Sequence, residues 1–519
     1  MSLLSEYSAT VLQAQTLSAT DVQSESVVTE VLAASAASLS NLEVEELQLD
    51  SAVMSASAFL SLNQFQGLPE NAADTTTISS TKYPGLIGSS KYIGGVLASN
   101  GKIYGIPFSA TNVLIIDPVA GTADTTTINS TKYPGLSGGS KYYGGVVAPN
   151  GKIYCMPYLA TNVLIIDPVT NTADTTTLSG LSSQNGKYFG GVLAPNGKIY
   201  CMPYLAPNVL IIDTLSNPPT ADTTTINSTL YPELNVLAKY VGGCLAPNGK
   251  VYGVPRDANS VIIIDPLTDT ADFTTITGLN YTGSNTGLYA GAVTAPNGKL
   301  YGIPRDALNV LIIDPDSPKV NISALYGITV STSTYTNSTK QLYVGAGATL
   351  LTSGLLVGDN IIITTSSNTK YTGYIRSIDS NTTMTFLYAF GVNITAGNIT
   401  NLEKTRVADL TTIEFPTYSF APRNKYVGGV LAQNGKIYCI PINVANVLII
   451  DPVTDTGDLT TIDSTKYPGL IGTSKYNGGV LAPNGKIYGI PHNATNVLQV
   501  TPGLPTLPPW MLQAYFNKF

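Results

Sequence analysis

Apolar and polar positions in this chain fall into short runs, and the runs recur in a fixed order. A Gly-rich, half-apolar stretch, Lys91 to Ala98 (KYIGGVLA), is followed by Asn-Gly-Lys-Ile-Tyr ending at Tyr104. Next comes a continuous apolar run, Asn112 to Pro118 (NVLIIDP), and then the Thr-rich Ala123 to Ile128 (ADTTTI). Each run has strand length. The unbroken apolar run is what a strand covered on both faces shows, and the β-branched polar run suits an outer strand. The Asn-Gly between the first two runs predicts a tight hairpin, and the Pro after Asp117 ends the third strand because it cannot donate to a ladder. One unit therefore predicts four antiparallel strands, a to d.

The Asn-Gly-Lys-aliphatic-Tyr phrase occurs seven times, with its tyrosines at 104, 154, 200, 252, 301, 438 and 488. Four strands repeated at about 50 residues predict a β-propeller blade. A linear solenoid is the competitor, and the ends of the repeat argue against it. The first strand d (around Asp74) precedes any strand a, and the last unit stops after strand c at Val500. Pairing those two strands closes a ring and removes the open edges. The expectation is an all-β protein whose core is a seven-bladed β-propeller closed by an N-terminal outer strand.

The long gap between Tyr301 and Tyr438 places an insertion inside the fifth blade. Its period-2, Thr/Ile/Val-rich stretches, such as Asn360 to Thr365, predict a small inserted β-barrel or sandwich projecting from one face. The N-terminal segment instead repeats apolar or small residues every five positions (Tyr7, Leu12, Leu17, Val22, Val27). Five residues turn an α-helix by about 500°, so the row would spiral around a helix but would line up on a β-shaft; a helix remains the alternative, since Ala, Glu and Leu favour it. The expected organisation is 1–66 shaft or oligomerisation segment, 72–315 first part of the propeller, 316–406 inserted β-domain, 407–503 second part, and 504–519 tail.

Composition narrows function. The net charge is −7 over 519 residues with 11% charged, which argues against wrapping nucleic acid. No apolar run approaches the ~20 residues of a membrane span, and Met1 to Thr10 lacks the basic start of a secretory signal. One His and four Cys without a CxxC spacing leave little for a His-based triad or a zinc site. Cys155, Cys201 and Cys439 stand where other copies have Gly and predict inert buried thiols, as does Cys244. The repeated Asp of Ile-Asp-Pro, for example Asp117, predicts a turn cap, and the Tyr of the repeated phrase predicts blade-to-blade packing. No enzyme motif, cofactor site or metal site is expected.

Binding is the better expectation, and differences among copies say where. Directly after the strand-b Pro the copies read Phe108, Tyr158, Tyr204, Arg256, Arg305, Ile442 and His492, with Asp257 and Asp306 next in two of them. Before the Gly pair of strand a they read Ile93, Tyr143, Phe189, Val241, Ala290, Val427 and Asn477. Tyr, Arg and His are common in recognition surfaces. Neutral drift of exposed loop positions is the alternative, with each Arg-Asp pair neutralising the other across adjacent blades. The candidate binding residues are thus Phe108, Tyr158, Tyr204, Arg256, Asp257, Arg305, Asp306 and His492.

The phrase GGVLAPNGKIYGIP followed by ATNVLIIDP resembles propeller repeats in proteins of large DNA viruses of algae and protists. It is more distantly similar to kelch-type repeats, without the kelch Trp. The pentad-patterned start and the ending around Trp510 to Phe519 resemble the shaft and tail segments of viral fibre proteins. The resemblance implies a non-enzymatic, capsid-associated or fibre-like virion protein made in the host cytoplasm. Its implied partners are other virion proteins or a host surface protein or glycan, with a homotrimer formed through residues 1–66. A soluble interaction module is the alternative.

Overall fold

The computed structural model describes residues 46–49, 52–55 and, with short interruptions between 278 and 422, 71–503. The chain divides into two units: Ala73–Val500, and the two ends together, Met1–Ala72 with Thr501–Phe519.

The larger unit is a seven-bladed β-propeller. In blade 1, strand a is Tyr92–Leu97, b is Ile103–Pro107, c is Leu114–Asp117 and d is Thr122–Asp124, paired in that order. Blades 2, 3, 4 and 6 repeat the pattern, beginning at Tyr142, Tyr188, Tyr240 and Tyr426. Blade 5 takes its outer strand, Ala408–Asp409, from beyond the insertion. Blade 7 joins Tyr476–Leu481, Ile487–Pro491 and Leu498–Thr501 to the N-terminal strand Ala72–Asp74, so the two ends of the repeat region close the ring.

Burial follows the apolar pattern. Leu114 and Ile116 of strand c are fully buried, and each core cluster mixes residues of two neighbouring blades. The junction of blades 7 and 1 is built like the others, with Val480, Tyr488 and Ile490 packed against Ile103 and Leu114. Tyrosine latches reinforce these seams. The Tyr104 hydroxyl donates to Asn171 Oδ1 of blade 2 (2.7 Å), while Asn100 Nδ2 donates to the Tyr104 hydroxyl and to the Pro168 carbonyl, each at 3.0 Å. At the closing seam Asn484 Nδ2 donates to the Pro118 carbonyl (3.0 Å).

The axis is lined by glycine. Strand a carries a bulge between Tyr92 and Gly95, and Gly94 sits there at φ +73°. A Cβ on Gly94 would lie 3.1 Å from the Gly144 Cα of the next blade. The same close approach runs through Gly190, Gly242, Gly291, Gly428 and Gly478 and returns to Gly94. Seven backbones thus touch around one axis, a closure that no open stack reproduces.

The described strands of the insertion form a small antiparallel β-domain of seven strands, with the long Lys370–Ser380 shared by its two halves. Its order is Val320–Asn321, Ile399–Thr405, Asn360–Thr365, Lys370–Ser380, Thr383–Phe386, Gln341–Tyr343 and Thr334–Thr336. One core holds Tyr335, Leu342, Ile361, Ile363, Met384, Phe386 and Leu402. It also grips the ring: Tyr374 is buried in the blade 4–blade 5 core, and its hydroxyl donates to the Thr277 carbonyl (3.3 Å).

In the smaller unit, Glu46–Leu49 pairs with Ala52–Ser55 as an antiparallel hairpin. The rest of the pentad-patterned segment and the tail 504–519 lie outside the described residues. Among the described residues no helix is long and apolar enough to cross a membrane.

All four cysteines are buried free thiols. Burial pushes their pKa up, that of Cys244 to about 12. A thiol that cannot ionise does not alkylate. At pH 8 the native protein is expected to leave all four unmodified by iodoacetamide over an hour, whereas protein in urea labels at all four, read by intact mass.

Candidate functional site

The ring has one end where every strand a starts and every strand b finishes. At this end the chain after the strand-b Pro is held by its backbone. The Phe108 amide donates to the Lys91 carbonyl (2.9 Å), and Tyr158, Tyr204, Arg256, Arg305, Ile442 and His492 make the equivalent bond in their blades. With the backbone fixed this way, the side chain is free to differ from copy to copy.

These varied side chains meet at the mouth of the central channel. Phe108 lies 5.5 Å from Tyr158 and 6.1 Å from the His492 ring, centre to centre. The strand-a positions insert between them: Tyr143 is 3.9 Å from Phe189, and Phe189 is 4.1 Å from Tyr204. The Arg256 guanidinium lies over the Tyr204 ring at 5.3 Å. Five aromatic rings from blades 1 to 3 thus form one shelf, all of them partly exposed. The opposite side is aliphatic, with Val241, Ala290, Val427 and Ile442 packed together against Phe189 and Tyr204. Tyr143 reaches across the axis and hydrogen-bonds the Asn477 side chain of blade 7. Side chains of blades 2 and 7 thus meet at the mouth.

Charge sits at one edge of the mouth. Arg256 pairs with its own neighbour Asp257 (2.7 Å), so that neutralisation is within blade 4 and not across blades. Asp306 turns away to the next blade, where its Oδ1 accepts from the Asn424 amide (2.5 Å) and its carbonyl accepts from Lys425 Nζ (3.0 Å). Arg305 faces Tyr143, Tyr204 and the like-charged Arg256; burial and then Arg256 lower its pKa, while Tyr143 and Asp306 oppose them. The Nε atoms of Arg256 and Arg305 are buried without a hydrogen-bond partner. His492 has Nδ1 3.3 Å from the Tyr92 carbonyl, and burial lowers its pKa so that it is neutral near pH 7.

The rim is held by a residue that the sequence reading did not single out. The residue before strand a is a buried lysine in six blades: Lys91, Lys141, Lys187, Lys239, Lys425 and Lys475, each at most 4% exposed. Lys141 Nζ donates to the carbonyls of Phe108 (3.1 Å), Ala110 (2.9 Å) and Gly138 (2.6 Å). Lys475 does the same with Ile442, Val444 and Gly472, and Lys91 reaches the His492 carbonyl (3.0 Å). The ammonium groups of Lys91, Lys141, Lys187 and Lys475 clamp the previous blade's rim residue to their own loop, while Lys239 reaches the Val236 carbonyl and Lys425 the Asp306 carbonyl. Burial lowers the pKa of all six to about 8. The signal was available: a Lys at one fixed place in six of seven units of a chain with few charges.

The repeated aspartates are turn caps. Asp117 Oδ1 accepts from the amides of Val119 (3.1 Å) and Ala120 (3.0 Å), and Asp124 Oδ1 from Thr126 (2.6 Å) and Thr127 (3.2 Å). A separate cleft of about 470 Å³ opens between blades 2 and 3, lined by Asn150, Tyr154, Asp174 and Thr214 to Pro219. The blade-3 turn here runs from Asp213 to Thr220, longer than the blade-2 turn from Asp167 to Thr172, and carries Pro218 and Pro219. None of the mouth residues lines it.

No protein-family model and no curated protein matches this sequence. Solved propellers match its shape. A virginiamycin B lyase from Staphylococcus aureus aligns over 83% of this chain and 99% of its own, at 7% identity and TM-score 0.46. The β-propeller domain of Myceliophteria thermophila Cps50 (Swd1) aligns over 80% and 97%, at 9% identity and TM-score 0.40. An auxiliary nutrient binding protein from Bacteroides ovatus aligns over 83% and 77%, at 8% identity and TM-score 0.40. The class is thus a seven-bladed β-propeller with neighbours of varied function.

Proposed function

We propose that this chain is a non-enzymatic binding module that offers the channel mouth to a carbohydrate. The observation that carries the proposal is the concentration of partly exposed rings, Phe108, Tyr143, Tyr158, Phe189 and Tyr204, beside Arg256, Arg305 and His492 on an otherwise uniform frame. A sugar ring has an apolar C–H face and a polar rim. A cluster of mutually tilted aromatic rings with guanidinium donors at its edge offers a partner to each. A non-enzymatic role is supported by how the reactive groups are used: the repeated aspartates cap turns and the thiols are buried.

A glycan array with the full-length chain tests this. Tyr204→Ala or Tyr158→Ala is expected to cut retention about tenfold or more, since truncating an anchor aromatic costs ~2 kcal/mol. Retention of no glycan, with capture of a protein partner instead, defeats the carbohydrate proposal.

A virion-surface placement, synthesis in a host cytoplasm and trimer formation through residues 1–66 form a second reading. It is supported by the resemblance of the repeat to viral propeller proteins. Mass spectrometry of purified particles tests the placement, and absence there defeats it.

A further inference from the structure

We infer that the sugar taken at the channel mouth is an acidic one, whose carboxylate or sulfate lies against the Arg256–Arg305 pair while its ring stacks on the aromatic shelf. This rests on the carbohydrate-binding proposal and adds the charge of the ligand to it.

The first support is charge concentration. The chain as a whole carries −7. Yet six lysines and two arginines gather at this end of the ring, while the carboxylates among the rim positions are Asp257 and Asp306. Asp257 pairs with Arg256, and Asp306 accepts from the Asn424 amide while its charge also acts on Arg305, so the two carboxylates offset part of this positive charge. The mouth gathers positive charge on an acidic protein, which favours an anionic ligand.

The second support is unfinished hydrogen bonding. Guanidinium donors prefer planar, bidentate acceptors such as carboxylate, sulfate or phosphate. Arg305 and Arg256 are close enough to repel one another, and each has a buried Nε without a partner. An anion placed against the two guanidinium groups relieves that repulsion. The six lysines cannot do this work, because the rim carbonyls engage their ammonium groups beneath the surface.

The third support is alignment. Arg256 already lies over the Tyr204 ring, at the end of the shelf that runs back through Phe189 and Tyr143. A ring stacked there holds its acidic substituent toward blades 4 and 5, where both arginines stand.

The test compares sugars that differ only in the acidic group: glycans ending in glucuronic acid against glucose, and in 6-sulfogalactose against galactose. Binding of the full-length chain is measured by calorimetry at low salt. The acidic member of at least one pair is expected to bind tenfold or more tighter. Arg305→Gln is expected to bring that preference below threefold, the ratio of acidic to neutral binding within each pair being the readout. Arg256→Gln serves as the second variant should Arg305→Gln shift the unfolding midpoint. Equal binding of both members of each pair overturns the acidic assignment and leaves the carbohydrate proposal standing. Binding of neither member, with the protein folded, overturns both.

Discussion

Gly478→Ala is expected to destabilise the ring by about 2–5 kcal/mol, whereas Gly151→Ala is expected to cost only about 1–2 kcal/mol. The two glycines have nearly the same backbone, φ +76° in both. Each substitution therefore pays the same penalty for a side chain in the left-handed region. They differ in what the new methyl meets. At Gly151, in a hairpin turn, nothing lies within 4 Å. At Gly478 a Cβ would lie 3.0 Å from Gly94 Cα and 3.5 Å from its nitrogen, across the seam that joins blade 7 to blade 1. Backbone cannot rotate away as a side-chain tip can, so the blades must separate at the axis. The difference in urea midpoints between the two variants isolates the axial contact. Equal midpoints would mean that the seven backbones are not in contact around the axis.

That contact also explains what was legible in the sequence. Each blade repeats the same phrases because each must meet identical neighbours, so the strand order, the blade number and the closing role of Ala72–Asp74 could be read from spacing alone. The paired glycines marked strand a, although the sequence could not show that Gly94 touches Gly144 rather than a side chain. The rim was found by the opposite signal. Phe108, Tyr158, Tyr204, Arg256, Arg305 and His492 stand out because they break the repeat. Their convergence with Tyr143 and Phe189 depends on the bulge that aims strand-a residues over the axis, which spacing does not encode. The Arg-Asp dipeptides misled for a related reason. Adjacent residues of one sign pattern look equivalent, yet Asp257 pairs with Arg256 while Asp306 caps the following blade. The insertion was visible as a β-rich excursion, but its hold on blades 4 and 5 through Tyr374 is a tertiary contact with no local signature.

The lysine clamps set a balance between two effects that a substitution can weigh. A buried ammonium loses its hydration, which favours replacing it by an apolar side chain of similar length. Its bonds to carbonyls oppose this, because removing it orphans acceptors at ~1–3 kcal/mol for each one that stays dry. In Lys141→Met the Phe108 carbonyl keeps the Lys141 backbone amide (2.8 Å), while the Ala110 and Gly138 carbonyls lose their Nζ bonds. The expected net loss at pH 7 is about 2 kcal/mol. Lys239, whose Nζ reaches the Val236 carbonyl, is expected to lose about half as much on the same change. A Met variant as stable as the parent would show that desolvation outweighs the clamp. Leu288 shows that blade 5 already manages without an ammonium there, its amide held by the Arg256 carbonyl (2.8 Å). The same groups fix the pH dependence. Desolvation lowers all six lysines to about 8 in the folded ring, against 10.5 in the open chain, with a carboxylate, Asp306, raising only Lys425. Above pH 8 the unfolded chain therefore binds more protons at these sites, and stability rises with pH. The four cysteines act in the other direction from about pH 9, since folded thiols stay protonated while unfolded ones ionise. Buried tyrosines such as Tyr92, Tyr142 and Tyr240, whose pKa burial raises, add to that loss above their ordinary value of 10.0. Urea midpoints are thus expected to climb between pH 8 and 9, level off, and fall beyond 10, with a shallower climb in Lys141→Met; a midpoint that only falls from pH 8 upward would show that the carbonyls keep the lysines charged.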